Sequence, residues 1–105
     1  MSDKLLVLTT SGSKIEARKI AEALVERKLA ACVNIVPGIM SVYRWEGKIA
    51  ESAEYLLLIK TVERHEEQLR AAIRELHSYD LPEFVTVSVK NGCADYLKWL
   101  EDSVV

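Results

Sequence analysis

The stretch Ala31–Lys60, ACVNIVPGIMSVYRWEGKIAESAEYLLLIK, decides the fold. Its first half, Ala31 to Trp45, is rich in Val, Ile and Tyr, whose branched or flat side chains suit a pleated surface. Pro37-Gly38 interrupts that run and reads as a bulge or kink, because proline cannot donate to a sheet ladder. Glu46-Gly47-Lys48 reads as a hairpin turn, and the return strand ends in the apolar run Tyr55-Leu56-Leu57-Leu58-Ile59 before Lys60. Each arm has about 14 residues and at ~3.3 Å per residue spans about 45 Å. A chain of this size folds into a globule roughly 33 Å across. The tip therefore overhangs its own domain. It carries Val42, Tyr43, Trp45 and Ile49, apolar groups that need cover, and these four are expected at a subunit interface.

Upstream, Lys4 to Thr10 reads as a strand centred on Leu5-Leu6-Val7-Leu8, broken by Thr10-Ser11-Gly12. Ser13-Lys14-Ile15-Glu16 fits a capping box, with Glu16 reaching back. The helix after it runs to about Leu29 and buries Ala17, Ile20, Ala21 and Leu24, with Arg27 and Lys28 in its last turn. Downstream, Thr61 is placed to cap a second helix with the stripe Leu69, Ala72, Ile73 and Leu76. Pro82 precedes a fourth strand, Phe84 to Lys90, in which Val85, Val87 and Val89 alternate with polar residues. A terminal helix carries Leu97, Leu100 and Val104, with Tyr96 and Trp99 beside them.

This order predicts an α+β fold over residues 1–105: a ferredoxin-like β-α-β-β-α-β sandwich with an extra C-terminal helix and a long hairpin between the second and third strands. The first and third strands are then central and the fourth lies at an edge. The runs Leu5–Leu8 and Tyr55–Ile59 do not alternate, which implies cover on both faces of the sheet. The terminal helix could supply it; a symmetric oligomer with sheets packed together fits better.

Charge and composition exclude several classes. Fourteen basic against 16 acidic residues, a net charge of −2, argue against a binder of nucleic-acid phosphates. A chain 50% hydrophobic and 29% charged is not disordered. Cys32 and Cys93 lie too far apart for a CxxC pair. The four apolar residues after Met1-Ser2-Asp3-Lys4 are too few for a secretory signal, and no run approaches the ~18 residues of a membrane span. A cytoplasmic protein without membrane insertion is the expectation.

Thr9 to Lys14, between strand and helix, could hold an anion, but it lacks the spacing of a phosphate loop and reads as a plain capped loop. Cys32 could ligate a soft metal or be a small buried hydrophobe. Cys93 reads as packing and His65 as a surface residue. His77 lies in Glu75-Leu76-His77-Ser78-Tyr79-Asp80-Leu81-Pro82-Glu83, where it could cap the helix or form a site with Tyr79 and Glu83. No arrangement of nucleophile and base is visible, so an enzyme is not indicated. The central strands lack the aromatic residues on which RNA-binding relatives of this fold stack bases.

With these residues in view, the sequence resembles the CutA family of divalent-cation-tolerance proteins. The blocks LAACVNIVPG (Leu29 to Gly38), SVYRWEGKI (Ser41 to Ile49), LLLIKT (Leu56 to Thr61), ELHSYDLPE (Glu75 to Glu83) and DYLKWL (Asp95 to Leu100) carry the resemblance. It implies a ferredoxin-like homotrimer with the hairpin reaching onto a neighbour, and a role in tolerance of copper or another divalent cation. It assigns metal ligation to His77, Cys32 and Glu83. Two further ligand positions of copper-binding members hold Thr9 and Leu76 here, which implies weak binding at inter-subunit sites. The similarity of such trimers to PII-type signalling proteins implies, alternatively, a small-molecule pocket lined by Trp45, Lys60 and Tyr79. A trimeric scaffold without metal function is the third alternative.

Overall fold

The structure, a computed structural model, describes residues 3–105. In chain order it contains β1 (Lys4–Ser11), α1 (Lys14–Glu26), β2 (Cys32–Trp45), β3 (Lys48–Val62), α2 (Glu66–Leu76), β4 (Val85–Ser88) and α3 (Ala94–Ser103), with a 3-10 turn at Glu63–His65 before α2. The four strands form one antiparallel sheet in the order β2-β3-β1-β4. The two strands with continuous apolar runs, β1 and β3, are the central ones. The fourth strand lies at an edge and is shorter than the alternation of Phe84 to Lys90 predicts.

The long hairpin forms as its sequence requires. Trp45 pairs with Lys48, leaving Glu46 and Gly47 as a two-residue loop with φ of 50° and 80°. Positive φ at both positions is the type I′ geometry, whose twist matches that of the flanking strands. Further down, the β2–β3 register passes from Val36 opposite Leu56 to Ile39 opposite Glu54. Pro37 and Gly38 thus stand against the single residue Tyr55, and Gly38 takes a φ of 74°. The extra residue rephases β2. Below the bulge Cys32, Asn34 and Val36 share a face with Leu56, whereas above it Ser41, Tyr43 and Trp45 share the face of Glu54. The molecule measures 44 × 25 × 24 Å, elongated by the hairpin, and Val42, Tyr43, Trp45 and Ile49 are all exposed at its tip.

On one face of the sheet, Leu5, Val7, Leu57 and Ile59 pack against Ile20 and Leu24 of α1 and Leu69 and Ile73 of α2. Each such burial removes a whole side chain from water and stabilises the fold by about 1.5–3 kcal/mol. Three local expectations are corrected. The capping box forms only half: Ser13 Oγ accepts from the Glu16 N–H at 3.1 Å, but the Glu16 carboxylate turns away to Ser11 Oγ and the Ser78 N–H. Arg27 and Lys28 lie beyond the last turn of α1. Lys28 adopts φ 59°, and the N–H groups of Lys28 and Leu29 close onto the carbonyls of Val25 and Leu24, a Schellman ending. Thr61 does not cap α2. It is fully buried in β3, where its Oγ1 donates to the Leu29 carbonyl at 2.7 Å, and the chain enters α2 through the 3-10 turn.

The opposite face is apolar as well. Strand pairing sets Leu6 beside Val87 and Leu8 beside both Leu58 and Val85. Helix α3 covers only one end of this face, through Leu100 and Val104 against Ala31 and Val62. The remainder is uncovered within the chain, and Val85 and Val87 are exposed. Among the described residues no helix is long and apolar enough to cross a membrane.

One buried group stands out energetically. Thr9 is fully buried, and its Oγ1 has no hydrogen-bond partner among the described residues. An unsatisfied buried hydroxyl costs about 1–3 kcal/mol. Thr9→Val, nearly the same shape without the hydroxyl, is expected to raise unfolding stability by about 1 kcal/mol or more. Denaturant unfolding at fixed protein concentration checks this, and an unchanged or lower midpoint contradicts it.

Candidate functional site

Where the rephased part of β2 meets the segment after α2, the surface folds into a cleft of about 680 Å³. Tyr43 and Trp45 from β2, Glu54 from β3, Thr10 from β1 and the segment Tyr79 to Glu83 line it. Of the residues singled out from sequence, the cleft gathers Val42, Tyr43, Trp45, Tyr79 and Glu83. It does not gather Lys60 or Cys32. These two pair with each other across β2 and β3, six residues from Glu54 along the strand, or about 20 Å. There Lys60 Nζ donates to Tyr96 Oη at 3.2 Å and lies over the Tyr96 ring.

His77 stands behind the cleft wall rather than in it. Its side chain is fully buried. The Tyr79 N–H donates to Nδ1 at 3.1 Å, so Nδ1 is unprotonated and Nε2 carries the proton that it donates to the Thr10 carbonyl at 2.6 Å. Both ring nitrogens are thereby engaged by backbone groups. The imidazole has no lone pair free for a metal in this arrangement, and among the described residues no group of three or more His, Cys, Asp or Glu is placed to hold an ion. The donor set His77, Cys32 and Glu83 therefore does not assemble within one chain.

What His77 does here is brace Tyr79. The two rings contact at 4.6 Å between centroids, and Tyr79 Oη reaches over β1 to donate to Glu54 Oε2 at 2.8 Å. The phenol passes directly over Gly12: a Cβ at that position would stand 2.9 Å from Tyr79 Oη. Gly12 has no side chain because the space is taken. From behind, Glu16 secures the same segment by accepting from Ser11 Oγ at 2.9 Å and from the Ser78 N–H at 3.2 Å, with its other contact, His77 Nδ1, at 3.5 Å. Burial pushes the Glu16 carboxyl up, but the hydrogen bonds from Ser78 and Ser11 outweigh it and hold the group below its usual range.

The cleft itself is electrostatically loaded. Glu54 is only 7% exposed. Burial, then the bond to the Glu54 carboxylate, pushes the Tyr79 phenol up to about 12. Burial raises the Glu83 carboxyl too, and repulsion from Glu54 adds to it. Sequence reading missed Glu54, Gly12 and the bracing role of Glu16. Glu54 carried a signal: it is the one acidic residue on the β3 face that continues through Leu56 and Leu58.

A phenol whose pKa is raised on folding stabilises the protein below its unfolded pKa of ~10 and loses that contribution as pH climbs through the folded value. Tyrosinate absorbance should therefore show one late-titrating phenol near 12. In Glu54→Gln, and in Gly12→Ala where the added methyl displaces the ring, this late step should move down toward ~10. A late step unchanged in both variants contradicts the assigned geometry.

Comparison with known proteins places the whole chain. Residues 5–103 match the family model described as CutA1 divalent ion tolerance protein. The Divalent-cation tolerance protein CutA of Thermus thermophilus is 47% identical over 98 residues, which cover 93% of this chain and 95% of the relative. Protein CutA 1, chloroplastic, of Oryza sativa is 44% identical over 99 residues, 94% of this chain but only 56% of the plant protein. The solved structure of the Thermus thermophilus divalent cation tolerance protein superposes with a TM-score of 0.95 at 45% identity, covering 97% of this chain and 99% of that one. The α+β fold, the sheet order and the near-complete match over both lengths agree: the chain belongs to the CutA1 divalent ion tolerance family.

Proposed function

We propose that this protein works as a homotrimer in divalent-cation tolerance, contacting cations weakly at clefts between subunits through Glu83 and Glu54. The observation that carries this reading is the cleft, lined beside the hairpin tip by the buried Glu54 carboxylate and by Glu83, whose carboxyl is raised by burial and then by repulsion from Glu54. Carboxylate oxygens suit hard divalent ions, and a site with so few donors binds weakly unless another subunit completes it. Copper specificity through His77 and Cys32 would need the imidazole released from Thr10 and Tyr79, and the thiol of one subunit brought to the cleft of the next. The names of the related proteins describe tolerance rather than catalysis, and the site described above has no paired nucleophile and base.

Two features support the trimer. The face carrying Leu6, Leu8 and Leu58 is covered at one end only, by α3, and the sheet order β2-β3-β1-β4 is that of a ferredoxin-like sandwich with one bare face. The exposed Tyr43 and Trp45 extend this face along the hairpin, the exposed Val42 and Ile49 stand on the hairpin's other side, and all four suit contact with a neighbour. A second reading, a small-molecule module of the PII kind, is favoured by the aromatic wall of the same cleft; Lys60, near α3, is outside it. A cytoplasmic location fits either reading.

Sedimentation equilibrium should give three times the 11.8 kDa chain mass, and Leu8→Glu, which sets a charge on the bare face, should shift it to one chain mass. Calorimetric titration with Mn²⁺ and Cu²⁺ tests the cation site. Glu54→Gln combined with Glu83→Gln should weaken binding by about tenfold or more. Full affinity in that variant, with loss in Cys32→Ser, would return the site to the thiol.

A further inference from the structure

We propose that the cleft takes an organic ammonium cation, with Glu54 and Glu83 holding its charge and the rings of Tyr43 and Trp45 holding its alkyl body. The inference rests on the reading of the cleft as the ligand site and names the chemical class that fits it.

Among the described residues three carboxylates line the cleft, Glu54, Asp80 and Glu83, and no Lys, Arg or His does. An anionic ligand would enter against all three. Glu54 is more than nine-tenths buried, and its Oε2 is satisfied by Tyr79. The second oxygen has no donor among the described residues and is not among the fully buried unpartnered atoms, so it keeps some exposure, and Glu54 lines the cleft. A carboxylate held this way, braced from behind and open in front, is a preformed acceptor for an N–H donor bearing positive charge. A cation beside it would also relieve the repulsion from Glu54 that adds to burial in raising the Glu83 carboxyl.

The aromatic wall separates an organic cation from a metal ion. Trp45 is half exposed and Tyr43 is exposed, and both stand on the cleft side because the Pro37-Gly38 bulge puts them on the face of Glu54. The Tyr43 hydroxyl meets Ser52 Oγ at 2.7 Å, which fixes the ring. Ring faces attract an ammonium group electrostatically and bury its carbon chain, two gains that a hydrated divalent ion does not collect. A small ion also needs several oxygens at short range, whereas the volume of about 680 Å³ suits a molecule of several carbon atoms.

The test follows Trp45 fluorescence in the full chain with Trp99→Phe, which leaves Trp45 as the single tryptophan of the two in the sequence. The probes are n-butylammonium and tetramethylammonium chlorides, with tert-butanol as neutral isostere, inorganic phosphate as anion and MnCl₂ as metal, all at matched ionic strength. Saturable change is expected with n-butylammonium, weakened about tenfold in Glu54→Gln, and a weaker one with tetramethylammonium, which has no N–H to donate and is held by charge and the rings alone. That variant keeps the shape of the side chain; Glu83→Gln, on an exposed residue, supplies a second reading and should weaken the same probes. Saturation by Mn²⁺ alone, lost in Glu54→Gln, overturns the organic cation while leaving the cleft as a metal site. Saturation by phosphate or tert-butanol overturns the charge class. No saturable response to any probe overturns both the inference and the cleft reading.

Discussion

The two-residue bulge at Pro37-Gly38 is the constraint on which the site depends. Along a strand, side chains alternate, so one extra residue exchanges the faces of everything beyond it. Below the bulge, β2 contributes Asn34 and Val36 to the bare face of the sheet; above it, the same side receives Ser41, Tyr43 and Trp45. Without the extra residue, Tyr43 and Trp45 would point away from Glu54 and the cleft would lose its aromatic wall. Proline suits the position because β2 is an edge strand that can spare a donor, and Gly38 suits it because φ is positive there.

The other wall is held by a chain of backbone-directed bonds. The Thr10 carbonyl, at the end of β1, fixes the His77 ring; His77 fixes the start of the following segment through the Tyr79 N–H; Tyr79 fixes Glu54. Glu16 ties the start of α1 to the same segment through Ser11 and Ser78. Ser11, Glu54 and His77 are polar and largely withdrawn from water, which is costly for any that goes unpaired. The network is therefore satisfied as a unit, and loss of one member exposes the next. This explains why a histidine with the appearance of a ligand is buried and saturated: its two nitrogens set the geometry of the wall.

Much of the fold was legible because it rests on local patterns. The turn at Glu46-Gly47, the cap at Ser13, the stripe of α2 and the apolar runs of β1 and β3 each follow from spacing alone. The misreadings came where a tertiary partner competed with a local one. Glu16 fits a capping box, but the buried Ser11 hydroxyl and the Ser78 N–H make better partners than the exposed Ser13 backbone. Thr61 looks like a cap, but the central strand extends through it. At the site, Trp45, Tyr79 and Glu83 could be grouped from sequence, whereas Lys60 and Cys32 fell away because strand register, invisible in composition, carries them to the far end of the hairpin. Glu54 went unnoticed for the same reason: its meaning depends on what lies across a bulge.

The composition of the chain acquires a division of labour from this geometry. The core between sheet and helices draws on one side of β1 and β3 and is complete within the chain. The apolar residues on the other side, and those at the hairpin tip, are surplus to it. In the proposed trimer, the surfaces that bury this surplus adjoin the cleft, since Tyr43 and Trp45 belong both to the tip and to the cleft lining. Assembly and ligand binding then share side chains and are linked thermodynamically: a ligand that prefers the cleft as closed by a neighbour must stabilise the trimer to the same extent that the trimer favours the ligand. A cleft placed elsewhere on the chain would carry no such coupling.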